Sequence, residues 1–423
     1  MKKITEWKIT KFFENTKNKI QEKVRSLHEK SRQKMQSDEM LDLSAKLRMH
    51  KMAVRMKYLI IGGIAVALVA GIFIYKRVRV FHNYSVVSTV ERSDDAVTQY
   101  VRVKKNRTLK CNPNGVTCVN DANEVQWNTT FNMQSLIVDS CESTVAVGDQ
   151  RGSLVYVFNE EGLMGNFEVE HNLMKLCVSR QGVVAAVLEA GETTWVNVYD
   201  KNGNVIVKNK TSMAESGYPL DVAISEDGYK MAVAYLGADQ KDVRTRVAFY
   251  NFSSVGQGQS DNLVNSVEYE GEVVPEIRFM GSGHAVAFLD DGLAFFSGKQ
   301  VPEESIRVQE EQELISIFAD DEYVGIITAS DEEEQNHKYK MAVYNSSGRK
   351  MMTRYFDMEY TEVGISDGEV ILYNNSDMEI YTVSGKKKFS GSYDKRIQDV
   401  MRAGSSRKYT IVTPDSTDLI KIR

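Results

Sequence analysis

"WVNVYDKNGNVIVKN", residues 195–209, is the stretch on which the fold turns. Trp195, Asn197 and Tyr199 alternate with Val196 and Val198, the two-residue period of a strand. Lys201-Asn202-Gly203-Asn204 is turn chemistry, because Asn and Gly accept positive φ at little cost, and residues 205–209 resume the strand. Whether this hairpin is solitary or one copy of a repeated part decides the architecture.

It is repeated. The slot held by Tyr199 recurs as Trp127 in "NEVQWNTTF", Phe158 in "LVYVFNEEG", Tyr250 in "RVAFYNF", Phe296 in "LAFFSG", Tyr344 in "KMAVYNSSG" and Tyr381 in "MEIYTVSG". Successive gaps are 31, 41, 51, 46, 48 and 37 residues. Their mean of about 42 is the period of a four-stranded propeller blade. Two further strand-like runs precede each slot, such as "LDVAIS" and "GYKMAVAYL" before Tyr250. The middle runs are continuously apolar, as strands covered on both faces must be.

The chain ends fix the count. After Tyr381 one more unit supplies three strands and stops at Arg423, with Ile420 one period on. "YSVVSTVER", residues 84–92, is a free strand that would complete this unit, close the ring and remove two exposed edges. The reading is an all-β, eight-bladed propeller. Seven blades follow instead if the short unit around Trp127 merges with the last.

"YLIIGGIAVALVAGIFIY", residues 58–75, carries no charge in 18 positions and would span roughly 27 Å as a helix, about a bilayer core. Lys57 and Arg55 stop it on one side, Lys76, Arg77 and Arg79 on the other, with Tyr58 and Tyr75 at belt positions. It is expected to be a transmembrane helix. Gly63, Ala67 and Gly71 share one face at four-residue spacing, which either permits close helix packing or reflects the ordinary use of small residues in such helices.

Charge is divided along the chain. Residues 1–57 hold 16 Lys/Arg against 7 Asp/Glu, whereas residues 81–423 hold 34 against 51. This asymmetry favours a cytoplasmic N-terminus and an extracellular C-terminal domain at the cell membrane. The expected organisation is a basic helical segment (1–57), the span (58–75), a short linker (76–83) and the propeller (84–423). Three readings of the basic segment stay open: a helix on anionic lipid anchored by Trp7, Phe12 and Phe13, a partner-binding helix, or a solvated topology determinant. Nothing in it specifies nucleic acid, and none is expected as a partner.

The stretches "YSVVSTVERSDD" (84–95), "LKCNPNGVTCVNDANEVQWNTTF" (109–131), "ESGYPLDVAISEDGYKMAVAYL" (215–236) and "RVAFYNF" (246–252) carry a resemblance. The sequence resembles an uncharacterised family of single-pass membrane proteins from clostridial and related Gram-positive bacteria, with a propeller-like domain of unknown function. The resemblance covers most of residues 84–300. It implies a membrane-tethered propeller in a bacterial envelope and brings no catalytic residues.

Chemical motifs are sparse. His82, His171, His284 and His337 are widely separated and lack metal-ligand spacing. No phosphate-binding Gly loop, GxSxG, HExxH or EF-hand pattern occurs. "DANEVQW" (121–127) shares its Asp-to-Trp spacing with quinone-dependent propellers, but it occurs once and Glu124 stands where glycine is usual. Cys111 and Cys118 could face each other across a hairpin, the simpler reading being small buried thiols. No catalytic, cofactor-binding or metal residues are assigned, and no cofactor is expected. The expected role is protein binding, as a scaffold or receptor for a surface protein in the envelope, or as a subunit of an export or pilus-like assembly. The alternatives are an envelope enzyme, glycan-active or redox, and a transmembrane signalling component. Residues 237–246 and 329–340, the longest polar insertions, are the candidate contact loops.

Overall fold

In the hairpin that opened the sequence reading, Asp200 Oδ1 accepts the main-chain N–H groups of Asn202 (2.8 Å) and Asn204 (2.9 Å). Gly203 takes φ +86°, the left-handed region that an L side chain disfavours. The flanking strands, Thr193–Tyr199 and Val205–Thr211, are the third and fourth of one blade. The computed structural model describes residues 19, 21–30, 43–92, 97–104, 106–211, 216–238, 243–330, 337–404 and 407–423.

Among the described residues thirty-two strands, β1 to β32 in chain order, form eight four-stranded antiparallel sheets. Blades 1 to 7 are β2–β5 (99–130), β6–β9 (136–168), β10–β13 (172–211), β14–β17 (218–270), β18–β21 (276–309), β22–β25 (314–356) and β26–β29 (362–392). Blade 8 combines β30–β32 (399–422) with β1 (Tyr84–Glu91) as its outer strand. The protein is therefore an eight-bladed β-propeller closed by the two ends of its chain, and the seven-blade alternative fails. The second strands are buried along almost their whole length, as β7 (Thr144–Asp149) shows. They lie between neighbouring blades, where each buried aliphatic side chain contributes about 1.5–3 kcal/mol.

One irregularity recurs in every blade. The pairing of third and fourth strands slips by a residue between Cys118/Val119, Val157/Phe158, Val198/Tyr199, Phe249/Tyr250, Phe295/Phe296, Val343/Tyr344 and Ile380/Tyr381. In blade 8 the slip lies opposite Leu419/Ile420. A bulge of this kind increases strand twist, here always on the outer strand. All eight slot residues are buried. In blade 1 the slot belongs to Val119. Trp127 lies eight residues later on the outer strand, where its ring stacks on Phe158 of the next blade (5.7 Å, 12°). Its Nε1–H donates to the Glu160 carbonyl (3.1 Å). The corrected slots, from Val119 to Ile420, give a first gap of 39 residues in place of 31.

The chain divides into two units, Met1–Val78 and Arg79–Arg423. In the second, residues 79–83, read above as linker, are bonded to the propeller. Phe81 bridges Phe389 on β29, donating to the Lys388 carbonyl (2.9 Å) and accepting from Ser390 (3.1 Å). Because β1 is an outer strand that starts beside Ile422, the chain enters on one particular face. That face carries the turns between first and second strands and between third and fourth.

In the first unit, residues 21–30 and Leu43–Val78 are helical. The second helix contains the whole 58–75 run, and Leu59, Ile61 and Val66 on it are exposed. Gly63, Ala67 and Gly71 are exposed as well, with open space around Gly63 and Gly71. Among the described residues no helix is long and apolar enough to cross a membrane. The side chains of residues 69–70 and 72–78 lie outside them, so the structure supplies the helix but not the expected span. Trp7, Phe12 and Phe13 also lie outside the described residues, as do 239–242 and 331–336 of the two insertions. Cys111 and Cys118 are both free and buried, each opposite another residue: Cys111 pairs with Val116, and Cys118 with Leu109.

The clasp is reinforced by Asp418 on β32, which is fully buried. It accepts from Tyr393 Oη (2.5 Å) and Lys395 Nζ (2.7 Å). Burial opposes its charge, but the hydrogen bonds from Lys395 and Tyr393 prevail and hold the carboxyl below the usual carboxylate range. Its contribution is therefore present above about pH 4 and lost as pH falls further. Asp418→Asn should cost about 2 kcal/mol in urea unfolding at pH 7, and less in acid. The closure makes a second prediction. A chain of residues 79–423 should fold as a monomer, whereas residues 99–423, lacking β1, should aggregate through the exposed β32 edge in size-exclusion chromatography.

Candidate binding site at the propeller axis

The first strand of each blade faces the axis, so the axial wall is assembled from eight stretches far apart in sequence. Between blades 2 to 6 it encloses a cavity of about 530 Å³. Seven carboxylates line it: Asp139, Glu142, Asp221, Glu226, Glu276, Asp321 and Glu322, with Lys175 and Arg278 as its cations. A second cavity of about 510 Å³ shares Ser140, Glu142, Arg278, Asp321 and Glu322 with the first and adds Arg102, Asp320 and Asp367. Glu142, Glu226, Asp321 and Glu322 sit on first-to-second-strand turns, at the mouth on the face where the chain enters.

Part of this charge holds blades together. Asp139 Oδ2 on β6 accepts the Val178 N–H of the next blade (2.8 Å). Asp221 Oδ2 on β14 does the same for Ile277 (2.9 Å), while its Oδ1 pairs with Lys175 Nζ of the preceding blade (2.8 Å). Arg278 donates to the Ala319 carbonyl (3.1 Å). Arg180 at the mouth pairs with Glu226 (2.6 Å) and lies 3.8 Å from Glu142. Each link joins adjacent blades, so the wall is stiffened where it is polar.

The remaining charge is poorly compensated. Burial pushes Asp139 up to about 6 against the opposing pull of Arg278 and two main-chain amides. Burial likewise raises Glu276, Asp320 and Glu142, and Glu226 beside it raises Glu142 further. Sequence reading missed all of these residues. The carboxylates are scattered over some 180 positions, on apolar strands and on ordinary turns, so no local motif announces them.

The sequence-singled histidines do not meet here. His337 Nδ1 pairs with Asp357 Oδ2 (2.7 Å) at the exposed surface, beside the 329–340 insertion. That insertion and 237–246 are second-to-third-strand loops, on the face opposite the one where the chain enters. Among the described residues no three His, Cys, Asp or Glu side chains are grouped to hold a metal ion. The aromatic slots lie within the blades and take no part in the axial wall.

A family model matches residues 77–422. The chain belongs to that family, DUF5711, a family of unknown function. No curated protein matches it in sequence. Among solved structures, the DUF5711 propeller is similar to Sqt1 of Saccharomyces cerevisiae, with a TM-score of 0.51 at 10% identity over 81% of this chain and 99% of that one. It is also similar to BamB from Moraxella catarrhalis, with a TM-score of 0.47 at 12% identity over 80% and 100% of the chains. The values for apo AztD from Citrobacter koseri are 0.47 and 10%, over 71% and 87%. At such identities the likeness is one of fold.

The raised Asp139 carboxyl has a measurable consequence. Its folded value lies above the ordinary one near 4, so the charged form weakens the fold as pH rises from about 4 through 6. Asp139→Asn keeps an acceptor for Val178 and removes that charge. In denaturant melts it should stabilise the protein by about 1–3 kcal/mol at pH 7 and by little at pH 4.

Proposed function

We propose that this DUF5711 chain is a single-pass membrane protein of a bacterial cell envelope whose propeller is a protein-binding scaffold or receptor. The N-terminal segment is cytoplasmic and the propeller extracellular, within an export or pilus-like assembly. The observation that carries the binding reading is the axial wall. Its best-placed carboxylates, on Asp139 and Asp221, are committed to main-chain amides of the neighbouring blade, which serves rigidity more than chemistry. A stiff ring with a charged mouth presents a fixed surface to a partner. The membrane reading is supported by the uncharged 18-residue run, by the exposure of Leu59, Ile61 and Val66 on its helix, and by the flanking basic residues.

The enzyme reading has an observation of its own. Several carboxylates with raised pKa share one cavity, and glycoside hydrolysis uses carboxylate pairs of this kind. It predicts glycan hydrolysis by the purified protein that Asp139→Asn or Glu276→Gln abolishes.

The scaffold is tested by placing a photo-crosslinking residue at Tyr229, exposed on the first turn of blade 4, and at Val205 on the outer rim. In intact cells Tyr229 should give a discrete protein adduct and Val205 none. Absence of any adduct from the mouth would remove the scaffold reading. The anchor is tested separately: the full chain should stay with membranes in alkaline carbonate, and residues 79–423 should not.

A further inference from the structure

The cations around the axial cavity are already engaged. Lys175 is held by Asp221, Arg102 by Asp121 (2.8 Å) and Arg180 by Glu226, while Arg278 donates to the Ala319 carbonyl and its charge offsets part of that on Asp139 and Glu276. Asp139, Glu276, Asp321 and Glu322 have no ion-pair partner among the described residues, yet they line one cavity that is open at its mouth. Walls of low dielectric focus such a field, so the mouth attracts positive charge far more strongly than an open surface with the same residues. The burial that raises Asp139, Glu276 and Asp320 is relieved when a cation enters.

The donor arrangement then narrows the cation. No three of the described carboxylates are grouped closely enough for a metal ion, so the charge is distributed along a wall. It runs from Asp321 and Glu322 at the mouth to Glu276 near the start of β18, the length of a first strand. A cavity of about 530 Å³ accommodates several long side chains. Spread acidic groups on a stiff wall suit spaced guanidinium or ammonium groups on a flexible stem.

We propose that the axial cavity, open on the face where the chain enters, binds a basic polypeptide segment whose Arg or Lys side chains reach Glu276, Asp321 and Glu322. This deepens the scaffold reading and rests on it. The partner would present an extended or loop segment rich in Arg or Lys. Binding adds the positive charge that the wall lacks, without breaking the Lys175–Asp221 and Arg180–Glu226 links between blades.

The test uses the full chain in detergent and fluorescence anisotropy with labelled hexa-arginine, hexa-glutamate as control, and spermine as competitor. Hexa-arginine should bind, and hexa-glutamate should not. The affinity for hexa-arginine should fall at least tenfold in Glu276→Gln/Asp321→Asn/Glu322→Gln. Glu161→Gln/Asp200→Asn, on outer turns, should leave it unchanged. Thermal melts check that both variants stay folded, and if the triple variant melts early, the single Glu322→Gln at the mouth should still weaken binding severalfold. Equal binding of the two peptides, or an unchanged affinity in the folded triple or single variant, overturns the proposal. Spermine competing as well as hexa-arginine overturns its polypeptide half. A discrete adduct at Tyr229 in cells would then still uphold the scaffold, which separates the two failures.

Discussion

The ladder between β1 and β32 is the constraint on which everything else rests. Seven blades are made from consecutive strands and could form in any order, but the eighth exists only when residues 84–91 return to meet residues 416–422. Without that pairing β32 would present a bare edge, and the axis would open on one side. The buried Asp418, with Tyr393 and Lys395 on it, sits at this junction. The buried Glu369–Lys388 pair, with Tyr409 Oη on Glu369 (2.5 Å), ties blade 7 to blade 8.

The same strand also sets direction. Because the closing strand is the first of the propeller, the preceding chain leaves from one face, and Phe81 fastens it to β29 before the ring begins. Only five residues separate the end of the long helix from β1. A chain that entered by a first strand would instead meet the ring on the opposite face. Here the axial mouth with Glu142, Glu226, Asp321 and Glu322 and the two long polar insertions are assigned to opposite faces by topology.

How much of this was legible in sequence follows from what each feature needs. The blade period was readable because six of the eight bulge slots hold an aromatic side chain, 37 to 51 residues apart, and the closure because an unpartnered strand was left at each end. Blade 1 was misread because its slot holds Val119, a residue with no signal, while Trp127 nearby looked like the missing member. Trp127 is only partly buried and reaches its place by crossing to Phe158 of another blade. Only the register could tell the two apart. The axial wall was not readable at all, since its acidic residues become neighbours only after the ring closes.

That difference bears on where function resides in such a ring. Residues that repeat with the period serve the blade, since every blade needs them. Residues that break the period while lying on the axis serve one place in one molecule. Tyr199 and its equivalents belong to the first kind. The second kind divides again: Asp139 and Asp221 spend their oxygens on the amides of the next blade, whereas Glu276, Asp321 and Glu322 have no such partner among the described residues. Glu276, whose charge is opposed by burial and which returns nothing as a blade link, and the exposed Asp321 and Glu322 at the mouth are the part of the wall that folding alone does not explain.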